Sequence, residues 1–164
     1  MTEPTPAPQA RPLASLAELE DGIDQLIGLA RHRVDVFAHA LGPAWRRPGR
    51  LAALRRFCLA SRRNECRVVL HQAASLRRDC PSLVPLVETF AHVISVRETR
   101  PEAQHASDGM VLVDGRHLLH RFHADSARGI LTLDDPEAVA LLAGRFTELW
   151  ESSDPASPAT TLGL

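Results

Sequence analysis

Short β-branched runs alternate along this chain with longer segments of helical period, and that alternation restricts the fold more than any other feature of the 164 residues. Leu16, Leu19, Ile23, Leu26, Ile27 and Ala30 recur at helical spacing, with Ser15 and Glu18 placed as a capping box. "RVDVFA" (33–38) reads as a strand, and "GPAWRRPG" as a loop punctuated by Pro43 and Pro48. A second helix is expected from about Arg50 to Arg63, and a second strand over "CRVVLH" (66–71). Helical material follows to about Phe90, interrupted at "DCPS" and bent at Pro85. "HVISVR" (92–97) supplies a third strand. "GMVLVD" (109–114) and "HLLHRF" (117–122) flank "GR", which has the length of a hairpin turn. "GILTL" adds a short strand. "DDPEAVALLAGRFTELW" is a closing helix, with Asp134 or Asp135 as cap and Pro136 in the first turn. The order α-β-α-β-α-β-β-β-α predicts an α/β domain with flanking helices, a mostly parallel sheet and an antiparallel edge hairpin.

The length fits one domain. Four prolines within residues 1–12 predict a disordered lead-in over 1–14, and "SSDPASPATTLGL" predicts a disordered tail over 154–164, which leaves 15–153 as the folded unit. "MTEPTPAPQARP" lacks the basic and apolar regions of a signal peptide. No apolar run approaches the roughly 18 residues of a membrane span. Cys58, Cys66 and Cys80 are odd in number and lack CxxC spacing, which argues for reduced thiols rather than a disulfide framework or zinc knuckle. Together these features predict a cytoplasmic protein without a membrane partner.

All 19 basic residues are arginine. A chain without lysine cannot run any mechanism that needs a lysine amine. Net charge is −1, yet residues 31–78 hold twelve arginines against only Asp35 and Glu65. Helical steps would set Arg55 with Arg62 and Arg56 with Arg63 as a double stripe, with Arg46 and Arg47 just before it beside Trp45. Such a surface suits phosphates or an acidic protein face. The near-neutral total counts against nucleic acid.

In open α/β sheets, ligands bind beyond the carboxyl ends of the parallel strands. Here those ends carry His39, His71 with Gln72, and Arg97 with Glu98, near a loop bearing Ser107 and Asp108. Convergence would make an anion site of imidazole and guanidinium donors; the alternative is polar residues that simply meet water. His117, His120 and His123 alternate faces on a strand, so no metal site and no cofactor is expected from them. Cys80, beside Arg77 and Arg78, lacks a local histidine and reads as an incidental thiol.

"VDVFAHALGPAW", "CRVVLHQ" and the run from "DGMVLVDGRHLLHRF" to "DPEAVALLAGRFTELWESS" resemble one repeat of the phospholipase D fold. They resemble more closely a phospholipase D-like bacterial domain of unknown function found attached to GNAT-type acetyltransferases. The resemblance covers roughly residues 15 to 153. It implies a catalytic H-x-K-x4-D, whose histidine attacks phosphorus. With Asp114 as the aspartate, Ser107 occupies the histidine position and Gly109 the lysine position. With His105 as the nucleophile, Ser107 falls on the lysine and Leu112 on the aspartate. The downstream polar motif is replaced by "HRFHAD". Phosphodiester chemistry by that mechanism is therefore excluded. The expected function is a non-catalytic binding or regulatory module of unknown ligand, working with an acetyltransferase or as a homodimer, since the family's sites form between two repeats. The alternative is an enzyme or sensor for a phosphorylated or anionic small molecule at the strand rim. The third reading is nucleic-acid binding through helix 50–63.

Overall fold

The computed structural model describes residues 3–156. In chain order the elements are β1 (Gln9–Leu13), α1 (Leu16–Leu29), β2 (Arg33–Ala38), α2 (Pro48–Ala60), β3 (Glu65–Leu70), α3 (Ala74–Asp79), α4 (Val84–Thr89), β4 (Ile94–Thr99), β5 (Gly109–Val113), β6 (His117–Arg121), β7 (Gly129–Leu133), α5 (Pro136–Glu151) and β8 (Ser153–Pro155). All eight strands form one sheet in the order β1-β7-β6-β5-β2-β3-β4-β8. It is an α/β fold with helices on both faces.

The antiparallel part is larger than expected and differently placed. β2, β3 and β4 run parallel, and every other pairing is antiparallel. The β5–β6 hairpin lies inside the sheet, because residues 9–13 are no disordered lead-in but form β1 on the far side of β7. Likewise β8 takes Asp154 and Pro155 from the expected tail and pairs with β4. Proline suits both places, since an edge strand does not need every N–H for a ladder. Residues 1–2 and the rest of that tail, 157–164, lie outside the described residues.

Local chemistry accounts for most boundaries. Ser15 caps α1 by accepting the Glu18 N–H, and the Glu18 carboxylate reaches back to the N–H of Ala14. α2 stops at Ala60, short of the expected Arg63. The helix after β3 breaks at Cys80, the residue before Pro81. Pro85 starts α4 rather than bending a longer helix, because its missing N–H costs nothing in a first turn. Asp135, not Asp134, caps α5 by accepting the Ala138 N–H.

The turn between β5 and β6 has three residues, not two, since Val113 pairs with His117. Asp114 and Gly115 both adopt left-handed backbone, with φ of 55° and 67°. Strain at Asp114 is offset by its carboxylate, which accepts the backbone N–H groups of Arg31, His32 and Arg33 at 2.9, 2.8 and 2.8 Å. One side chain thereby ties the hairpin to the start of β2.

The two faces of the sheet build two cores. Val34, Val36, Val68, Leu70 and Val96 meet α1–α4, while Phe37, Val69, Met110, Leu112 and Leu118 meet α5 through Val139, Phe146 and Leu149. Arg67 pairs bidentately with buried Asp35 at 2.8 and 2.9 Å and lies over the Phe146 ring at 4.9 Å. Between α1 and α2, the fully buried Arg50 side chain donates to Glu20 and Asp24 at 2.8 and 2.7 Å and stacks on Trp45. Removing Arg50 would empty the space its side chain fills between α1 and α2, while Glu20 and the part-exposed Asp24 could turn to water. Arg50→Ala is expected to lower unfolding free energy by roughly 2–4 kcal/mol, measured by urea denaturation. A loss below about 1 kcal/mol would show that the network contributes no more than a surface pair.

Candidate functional site

Strand register decides which rim residues meet. It pairs Arg97 with Val69, Val69 with Phe37, Phe37 with Met110, and Met110 with His120, a row running across four strand boundaries on the α5 face. Side chains alternate faces along a strand, so two residues further on the same columns carry Thr99, His71, His39, Asp108 and Phe122. This second row forms the carboxyl-end rim of the parallel strands.

Most of its polar side chains are already engaged. His71 is buried, with Nε2 at 2.5 Å from the Ala106 carbonyl and Nδ1 at 2.6 Å from the Thr99 hydroxyl. A carbonyl only accepts, so Nε2 carries the proton and Nδ1 accepts from Thr99. Both ring nitrogens are satisfied, and Phe37 and His39 pack edge-on against the ring at 5.2 and 5.5 Å. Asp108 is buried too, and its carboxylate accepts two hydrogen bonds from the Arg145 guanidinium and one, at 2.8 Å, from Nε2 of His120. Burial alone would raise the Asp108 carboxyl. The Arg145 and His120 hydrogen bonds and the Arg145 charge outweigh it and hold the group far below the ordinary carboxylate range. Since an ionised carboxylate only accepts, Nε2 of His120 carries a proton and donates it.

Of the expected anion donors, His39 and His71 meet ring to ring, but both His71 nitrogens are taken and Arg97 bonds elsewhere. Arg97 sits in the interior of β4, where it donates to the Trp150 carbonyl at 3.0 Å and lies 4.2 Å from the indole centroid. It complements the carbonyl end of α5 rather than a ligand. His39, Gln72 and Ser107 are exposed at the rim. Glu98 accepts the Ala73 N–H and holds the start of α3. Asp108, expected as a ligand-binding residue, instead accepts from side chains of the chain itself. Its partners His120 and Arg145 were not among the expected site residues. The available signal was a single arginine set among the apolar residues Leu142, Phe146 and Leu149 of the closing helix.

Histidines of the β6 segment each have a separate local partner. His117 accepts the Asp134 N–H, His120 serves Asp108, and His123 accepts the Asp125 N–H. Among the described residues, no three His, Cys, Asp or Glu side chains gather as a metal ion would require. Cys80 is buried, and burial together with Asp79 raises its thiol although Arg46 and Arg50 oppose the shift. Its Sγ lies 3.2 Å from the Gly42 carbonyl.

The arginines of the basic segment separate into two groups. Arg47 pairs with Asp21 and Asp24 on α1. Arg46, Arg55, Arg56, Arg62 and Arg63 are exposed and form no ion pair with any described residue. Arg62 and Arg63 follow the end of α2, so the double helical stripe does not exist as such.

A family model described as "Domain of unknown function (DUF7931)" matches residues 15–162. No curated protein matches the chain in sequence. Among solved structures, Nuc from Salmonella typhimurium, described as a phospholipase D family member, aligns with a TM-score of 0.66 at 12% identity, covering 92% of this chain and 99% of that one. NucT from Helicobacter pylori gives 0.61 at 12% identity, covering 92% and 100%. TrmBL2, described as an archaeal chromatin protein with a novel mode of DNA binding, gives 0.66 at 10% identity, covering 90% and 54%. At such identities the likeness shows the fold alone, and that fold is phospholipase D-like.

A lowered carboxyl pKa stabilises the folded state above the unfolded value, near 3.9 for aspartate, and the contribution is lost as pH falls toward the folded value. Asp108→Asn is therefore expected to cost roughly 2–3 kcal/mol at pH 7. The gap in melting temperature between wild type and variant should narrow as pH drops below about 4. Thermal melts across that range check it, and a gap independent of pH would remove Asp108 as the ionised hub.

Proposed function

The chain belongs to the DUF7931 family, and we propose that it is a non-catalytic binding and regulatory module, its rim held closed by its own side chains. The observation that carries this reading is the capture of Asp108 by Arg145 and His120 where a reacting group would need freedom to act. Ser107 and Gly109 stand in the register that the phospholipase D resemblance assigns to nucleophile and lysine. A Cβ at position 109 would come 3.2 Å from the Phe37 carbonyl oxygen, so a longer side chain there would press on the backbone of β2. Asp114, the one residue that keeps its type in that register, anchors the backbone of residues 31–33.

The partner in this reading is a second copy of the chain or a GNAT-type acetyltransferase, the association that the sequence resemblance implies. Phe122 and Leu141 favour the second copy. They lie just after β6 and on α5, with exposures of 53% and 81%. Phe122 packs edge-on against His120 at 5.4 Å, His120 bonds Asp108, Asp108 bonds Arg145, and Arg145 lies one turn beyond Leu141 on α5. Large apolar side chains left in water are what an association surface would cover.

Two measurements test the proposal. Hydrolysis of bis(p-nitrophenyl) phosphate is expected to match the buffer blank, whereas turnover that disappears in His120→Ala would make the rim an active site. Sedimentation velocity should show a concentration-dependent dimer that Phe122→Glu with Leu141→Glu converts to monomer. A strict monomer in wild type at micromolar concentration removes self-association from the proposal.

A further inference from the structure

At the foot of the sheet, opposite the rim, the last turns of α1 and α2 diverge and leave an open groove of about 910 Å³. Arg31, His32, Arg56 and Arg63 project from its walls, while Ile27, Leu29, Ala53 and Ala60 supply apolar surface between them. No lining residue is a carboxylate. Arg31, Arg56 and Arg63 are exposed and find no ion-pair partner among the described residues. Exposure alone does not explain this. Arg33, Arg47 and Arg116, with side chains 47%, 43% and 42% exposed, each reach a carboxylate.

We infer that this groove is a docking site for an acidic, apolar-containing segment of a partner protein. The inference names a partner class for the binding module proposed above and does not depend on the rim. Three features select a peptide. Guanidinium groups grip carboxylates bidentately, and three of them set around one groove match successive acidic side chains. The apolar surface between them suits aliphatic side chains, which a sugar-phosphate backbone does not present. The groove is also held in shape: Asp114 fixes the backbone of Arg31 and His32, and Asn64 caps α2 by donating to the Phe57 carbonyl at 2.8 Å. Nucleic acid fits less well, because the groove's Phe57 ring is buried and cannot stack on bases, and the chain's net charge is −1.

Fluorescence anisotropy with a labelled peptide of alternating glutamate and leucine tests the site, using the full chain. Wild type should bind it, more weakly as salt rises. It should not bind the same peptide with serine for glutamate. Arg56→Glu with Arg63→Glu should weaken binding at least about tenfold, since it replaces attraction with like-charge repulsion at two points. Arg56→Gln with Arg63→Gln should give a smaller loss in the same direction. Arg46→Glu, exposed but outside the groove, should bind as wild type does. Absence of binding by wild type, or equal binding by the charge-reversed variant, overturns the inference. Tighter binding of a labelled DNA duplex than of the peptide overturns it also, and would make the groove a phosphate site. Failure here is distinguishable from failure of the proposed function: phosphodiester turnover would leave the titration unchanged, and an inert groove would leave the rim as described.

Discussion

A buried carboxylate cannot be left without partners, and the arrangement of the rim follows from how Asp108 obtains them. Its position before β5 places it between the sheet and α5, out of water. Arg145 must therefore descend from the helix and His120 turn inward from β6. That demand ties α5 to β6 across the rim, and it keeps a proton on Nε2 of His120. It also explains why His120 and Arg145, both beside the rim, are not free donors. A polar group that completes an internal network is unavailable to a ligand unless the network is first broken.

In a chain without lysine, every cationic task falls to guanidinium, and the structure divides those tasks by depth. Arg50 and Arg67 are enclosed, each pairing with carboxylates and lying over aromatic rings. Arg97 and Arg100 satisfy carbonyls at the end of α5. These uses exploit a planar, weakly hydrated cation that an ammonium would not replace. The charge excess of residues 31–78 is consequently uneven. Part of it is absorbed by the interior and by α1, while Arg31, Arg56 and Arg63 of the remainder line the groove beside the last turn of α2.

How much was legible in the sequence depended on the range of the information. β2 and β7 were read residue for residue, and the cap of α1 was read from Ser15 and Glu18, because periodicity and capping are local. Asp35 and Arg67 carried a longer-range signal: opposite charges at matching positions of two apolar strands, which the parallel register brings side by side. The edges were hidden. "QARPL" has no pattern that marks a strand and becomes one only because β7 presents an unpaired edge. The rim was half legible. Its columns could be listed, but His39, His71 and Asp108 fall in one row only after β5 is known to pair with β2, and Arg145 arrives from a helix 37 residues beyond Asp108. Arg97 was misplaced because β4 extends to Thr99, which moves position 97 from a strand end to a strand interior.

The closure of the sheet by β1 and β8 has a consequence for synthesis. β7 leaves the ribosome long after β1, and β8 long after β4, so each flank stays unsealed until its later strand has been made. Throughout that interval the nascent sheet presents two unpaired margins, the condition under which chains mispair with one another. Once Pro12 and Pro155 are in place, each margin contains a residue that has no N–H to offer a further strand. The domain is thus most vulnerable to aggregation before β7 and β8 are made and best protected once both are paired.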